Sequence, residues 1–193
     1  MNNAELAQTP RLDAWEQIYA VLFRPAEAFS APVKPGTLPL GLAVLLLVSV
    51  MLALIHAGTL VSLWLMIVMI GCWLVLLWCL GSGILYLLTR GVAAEATLGQ
   101  LLGATALSTL PWCLLAPLHA LAARGGWGPS VAAVGTLVVW VWWLKALQGA
   151  IAGTLGITGK QATMAIFGSV ITLLALPLLL GIVGVLTVVI VAL

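Results

Sequence analysis

From Pro35 to Thr89 the chain carries no Asp, Glu, Lys or Arg, and no other feature limits its fold as strongly. As one helix that stretch would run roughly 80 Å, against a hydrocarbon core of roughly 30 Å, so it must turn back once inside or beside a membrane. Charged residues make up 6% of the 193 residues and hydrophobic ones 64%. A soluble domain carries roughly 25% charged residues, so a water-facing surface cannot be covered here. The charges fall in short clusters between long apolar tracts, with no alternation at every second residue. That is the pattern of a helical bundle and not of a barrel. The expected fold is all-α: a polytopic transmembrane bundle of about five spans, preceded by a short amphipathic interfacial helix.

Turn and cap signals divide the chain. Residues 1–37 form a cytoplasmic N-terminal segment, and residues 38–193 one transmembrane domain. The break at His56-Ala57-Gly58-Thr59 separates spans 38–56 and 61–88. Arg90-Gly91 and Glu95 mark the next loop, and Thr97 with Gln100 has capping-box spacing for a span over 98–122. Pro111 and Pro117 lie inside that span, which is therefore expected to kink or unwind, with Thr105, Ser108 and Thr109 supplying hydroxyls to the freed carbonyls. Arg124-Gly-Gly-Trp-Gly-Pro129 is a turn, followed by a span over 130–152. Thr158 and Gln161 repeat the capping spacing before the last span, 163–190, where Pro177 is expected to introduce a bend. The polar start MNNAELAQTP does not resemble a secretory signal, so the N-terminus is expected to be retained. Arg11, Arg24, Lys34, Arg90, Lys145 and Lys160 fall on one side of this topology and Arg124 on the other, which places the N-terminus in the cytoplasm and the C-terminus outside.

Within the N-terminal segment, a helix over about 13–24 carries Trp15, Ile18, Tyr19, Leu22 and Phe23 at i, i+3, i+4, i+7 and i+8. Asp13 with Glu16 gives its start and Arg24-Pro25 its end. Aromatic rings on one face, just before a span, suit the headgroup boundary. This helix serves either as an anchor packed on the bundle or as a surface for partners.

Among the remaining residues, Lys145 is the most expensive to bury. It lies near the cytoplasmic end of its span, from where its stem reaches the interface. Glu95 is the acid available to it on that side, and Trp142, one of Trp140, Trp142 and Trp143, is placed for a cation–π contact. Gly149 with Gly153, and Gly99 with Gly103, are small-residue pairs that permit close helix packing. Cys72, Cys79 and Cys113 read as small buried hydrophobes, and with His56 and His119 they form no metal-ligand spacing. Gly156-Ile-Thr-Gly159-Lys160-Gln161 misses a phosphate-loop motif at Thr154 and at Gln161. No catalytic constellation, cofactor site or metal site is expected. The net charge of +2 gives no reason to expect a nucleic-acid partner. The partners expected are the lipid bilayer, a second copy of the chain, or other membrane proteins.

Several of these stretches together resemble the Yip-one (Ypt- and Rab-interacting) family of five-span membrane proteins. They are Trp15-Glu-Gln-Ile-Tyr-Ala-Val-Leu-Phe-Arg24-Pro25-Ala-Glu-Ala-Phe29, then Ala106-Leu-Ser108-Thr-Leu-Pro111, and Trp143 followed by Gly156-Ile-Thr-Gly-Lys160-Gln-Ala162. The resemblance covers most of the chain from residue 15. It implies a cytoplasmic N-terminus and a non-enzymatic role in membrane organisation or trafficking-like assembly. Eukaryotic relatives associate with small Rab-type GTPases, in part through long cytosolic N-terminal domains. Residues 1–37 are too short for such a domain, and the composition resembles a bacterial, inner-membrane member. The alternative function is a small transporter, channel or lipid-moving protein whose path uses the kinked third span and Lys145.

Overall fold

The computed structural model describes residues 14–24, 28–29, 37–56, 59–91 and 96–192, and among them every regular element is a helix. In order these are α1 (Ala14–Phe23), α2 (Thr37–His56), α3 (Leu60–Thr89), α4 (Leu98–Leu107), a 3-10 turn (Leu110–Leu114), α5 (Leu115–Ala122), α6 (Gly128–Leu155) and α7 (Gly159–Ala192). Four stretches have the length and composition to cross a membrane: Thr37–Ile55, Leu60–Thr89, Leu98–Ala122 and Gly128–Leu155. The described apolar part of α7, Gly159–Ala175, is shorter. The protein is an all-α bundle of membrane type.

Local chemistry sets the helix ends. Thr97 accepts from the Gln100 N–H at 3.3 Å while its own N–H donates to Gln100 Oε1 at 2.9 Å, a reciprocal pair that satisfies orphan donors at the start of α4. Thr158 and Gln161 repeat this before α7. A third box, Thr59 with Ser62, opens α3; its serine in place of Glu or Gln hides it from the usual pattern. Gly125 and Gly126 take positive φ (+74° and +58°), which lets the α5–α6 turn close before Pro129 enters the first turn of α6. Gly156, at φ +64°, ends α6.

The third span is broken, as its prolines demand. The Ser108 N–H still reaches the Ala104 carbonyl, but the Thr109 N–H turns to Ala106, which shortens the repeat to the 3-10 spacing. The carbonyl of Thr105 thereby loses its helical donor and accepts from Ser108 Oγ at 2.7 Å; Thr109 Oγ1 donates to Ala106 at the same distance. The Ser108 hydroxyl thus replaces the backbone donor that Thr105 lost, while Ala106 accepts both the N–H and the hydroxyl of Thr109. Pro111 and Pro117 fall in the first turns of the 3-10 segment and of α5, where a missing N–H removes no intrahelical bond. The last helix runs from Gly159 to Ala192 with Pro177 inside it.

Packing between spans rests on small residues. Gly41 of α2 faces α4 so closely that a β-carbon there would sit 2.8 Å from Ala106 Cβ and 3.1 Å from the Gly103 carbonyl oxygen. Gly103 in turn lies against Thr37 and the Leu38 backbone nitrogen. Lipid offers helices no hydrophobic drive to associate, so close backbone approach supplies the dispersion contacts that hold α2 to α4. Of the pair Gly99 and Gly103, only Gly103 makes such an approach, and Gly99 faces open space. Cys72 and Cys79 are exposed on the outer face of α3, contrary to the expectation that they are buried, because α3 buries only Ser82, Leu85 and Thr89 in its second half.

Candidate functional site

The N-terminal helix is where the protein departs most from a plain bundle. Its five expected apolar residues do not form a single stripe. At 100° per residue Trp15, Tyr19 and Phe23 cover one strip, and Val21 lies on the far side from them. Val21 is completely buried, and Ile18 and Leu22 are half-buried against the same cluster of Val44, Leu107 and Leu110. Trp15, Tyr19 and Phe23 point outward, 79%, 58% and 64% exposed, with the Tyr19 and Phe23 rings 4.7 Å apart. The helix therefore has an aliphatic face on the bundle and an aromatic face away from it. Val21 was legible in the sequence as an apolar residue, but it sits one position off the strongest stripe.

A second anchor fixes this helix. The Arg24 N–H donates to Ala20 at 2.7 Å, and the Ala28 N–H donates to the Arg24 carbonyl at 3.0 Å, which ties Ala28 to the end of α1. Phe29 follows, 1% exposed, with its carbonyl oxygen seated directly on Gly153 of α6. Gly153 was expected to serve a helix–helix contact with Gly149; its close neighbour is instead the Phe29 main chain, while Gly149 is partly buried beside buried Ala150. Only glycine lets the backbone come this near.

Lys145 is exposed on α6, and its Nζ lies 3.5 Å from Gln148 Oε1, one turn toward the Gly156 end. Gln148 Nε2 donates to the Gly159 carbonyl at 2.9 Å and to Thr163 Oγ1 at 2.7 Å, so this polar chain pins the α6–α7 hairpin. The ammonium thus extends along the helix toward the loop, as snorkelling requires. Glu95 lies outside the described residues, and with it the pairing to Lys145. Two of the three tryptophans before the lysine, Trp140 and Trp143, meet Trp112 at 5.5 and 5.2 Å and each other at 5.3 Å, and none of these contacts involves Trp142, the ring expected to face the lysine. Rings this close pack on one another. The Trp112 and Trp143 indole nitrogens are buried without a partner among the described residues.

Above the break at Pro111, itself buried, sits a polar knot between α3 and α4. Trp78 Nε1 donates to Thr105 Oγ1 at 3.0 Å and to the Leu102 carbonyl at 3.1 Å, and Ser82 Oγ lies 2.9 Å from Thr105 Oγ1. Interhelical bonds of this type contribute about 0.6 kcal/mol each, and at most about 1.7. Thr105→Val is expected to cost about 1–2 kcal/mol, read as a lower melting temperature in detergent; Ser82→Ala should cost less, since Trp78 keeps both acceptors. No group of three His, Cys, Asp or Glu among the described residues is placed to hold a metal ion. Comparison with known protein families, with curated proteins and with solved structures finds no match.

Proposed function

We propose that this is a non-enzymatic, Yip-type integral membrane protein of a bacterial cytoplasmic membrane, N-terminus inside and C-terminus outside, that organises membrane or assembles with membrane partners. The observation that supports this most directly is the N-terminal helix. It is anchored to the bundle by Val21 and by Phe29 on Gly153, and it presents a continuous aromatic face outward. A helix fixed to the bundle on one side with an aromatic face turned outward is suited to contact. The alternative of a transport path through Lys145 draws less support, because Lys145 is exposed and runs toward the loop, away from the broken third span.

The test is crosslinking in native membranes, followed by identification of neighbours. A reproducible set of membrane-protein neighbours, or a second copy, is expected, and the triple variant Trp15→Ser, Tyr19→Ser, Phe23→Ser should deplete it. Solute flux in proteoliposomes that Lys145→Ala abolishes would instead establish the transport reading. Unchanged neighbours in the triple variant would count against the aromatic face as the contact surface.

A further inference from the structure

The packing of α1 fixes how deep it lies. Helix α2 has 20 residues, about 30 Å of rise, which equals the hydrocarbon thickness, so Thr37 marks the level at which hydrocarbon begins on its side. Gly103 lies against Thr37 and shares that level. Leu110, where the 3-10 turn starts, is seven residues further along the third span, about 10 Å deeper. Helix α1 packs against this turn. Val44, in the same buried cluster as Val21, is also seven residues past Thr37, which gives the same depth by a second route. A helix resting on the headgroups would touch only the first turn of each span. The inner face of α1 instead reaches about 10 Å below the boundary, at the deep limit for interfacial helices.

At that depth the outward face has one medium to meet. Leu42 of α2, exposed five residues past Thr37 and so about 8 Å deep, is apolar, as are the exposed Leu46, Leu47 and Leu114 farther in, and Trp15, Tyr19 and Phe23 add an exposed aromatic strip to this apolar surface. Glu16 and Arg24 stand at its two ends, within one residue of Trp15 and of Phe23. We infer that α1 is a wedge immersed among the acyl chains of the leaflet on the Thr37 side, and that its aromatic face binds lipid and gives the protein a preference for membrane curved so that this leaflet is convex. The spans cross both leaflets, while α1 adds a rod about 10 Å wide and 15 Å long, roughly 150 Å², to one of them. Extra cross-section in a single leaflet relaxes when that leaflet expands, and interfacial helices are curvature-sensitive for this reason. The inference goes beyond assembly with partners, because curvature preference requires only lipid.

Purified protein in giant vesicles of phosphatidylcholine and phosphatidylglycerol, with tubes drawn from them, tests it without any protein partner. In a background with Cys72, Cys79 and Cys113 changed to Ala, an introduced Lys160→Cys is labelled from outside with an impermeant maleimide, so that only copies with the Thr37 side outward are seen. These copies are expected to be at least two-fold denser on the tube than on the parent vesicle, and the triple variant Trp15→Ser, Tyr19→Ser, Phe23→Ser is expected to lose that enrichment. Equal density on tube and vesicle, or enrichment unchanged in a monodisperse triple variant, would overturn the wedge. A second measurement needs no triple variant: a fluorophore at Tyr19→Cys should be quenched by nitroxides on lipid acyl chains and spared by aqueous iodide. Quenching by iodide would place water over the face, and quenching by neither would place protein there; either overturns the inference. Because no partner is present, loss of curvature sorting leaves the crosslinking result intact, and the reverse holds as well.

Discussion

Gly153→Val is expected to release the N-terminal helix and to lower stability by about 3 kcal/mol. A β-carbon at 153 runs into the Phe29 carbonyl oxygen and carbon, which are main-chain atoms and cannot rotate away. If Phe29 held its place, the overpacking would cost about 1–3 kcal/mol. If it lifted, the protein would forfeit a side chain that is 1% exposed, and losses of that class run to about 3–5 kcal/mol. The two routes meet near 3 kcal/mol, which for a chain of this length lowers the melting temperature by roughly 6–12 °C. Thermal unfolding in detergent, followed by the loss of monodisperse protein, measures it. Gly99→Ala is the matched control, because a β-carbon there meets nothing within 4 Å; it should change little, or stabilise α4 slightly by removing a helical glycine.

The second large effect is expected at the α2–α4 crossing. Gly103→Leu forces a side chain into Thr37 and the Leu38 backbone nitrogen, so the two helices must separate along the contact that Gly41 shares. The same separation would strain the Thr105 bonds to Trp78 and Ser82 on the other side of α4. Failure of the variant to accumulate in the membrane is the expected outcome, against normal accumulation of Gly83→Leu, which points into open space. A gentler pair isolates the contact itself. Gly41→Ala should destabilise by about 1–3 kcal/mol, and adding Ala106→Gly should recover part of that, because the Ala106 β-carbon is the nearest atom to the new one. Additive losses in the double variant would show that the two residues do not touch.

What the sequence made legible is what local chemistry controls. The caps at Thr97 and Thr158, the turn at Gly125-Gly126 and the break at Pro111 each follow from a few adjacent residues, and each appears where those residues stand. The hydroxyls of Ser108 and Thr109 were readable as belonging to the break, but they serve the Thr105 and Ala106 carbonyls rather than the Leu107 carbonyl that Pro111 deprives of a donor, and the Thr105 hydroxyl turns to Leu101. Contacts between distant segments were not readable. Nothing near Gly153 announces that its partner is the main chain of Phe29, and nothing near Gly41 points to Gly103, because in a chain with 20 glycines a small-residue pair marks many faces equally well. The orientation of α1 was half legible. Hydrophobicity alone cannot tell an aliphatic face that packs on protein from an aromatic face that meets lipid, and so Val21 stood outside the expected stripe although it is the most buried residue of the helix. The tryptophans beside Lys145 were open to the same ambiguity, and the partner Trp112 comes from another span.

Helix α1 and Phe29 belong to the bundle, and Gly153 is what holds them there. Amide hydrogen exchange of α1 and Phe29, measured in nanodiscs for the wild type and for Gly153→Val, tests this most directly, since exchange reports the free energy of local opening. Slow exchange in the wild type, accelerating ten-fold or more in the variant while the amides of α2 and α6 stay protected, is the expected result. Exchange of the α1 amides and of Phe29 at the rate of an unstructured peptide in the wild type, or identical protection in both proteins, would contradict the account.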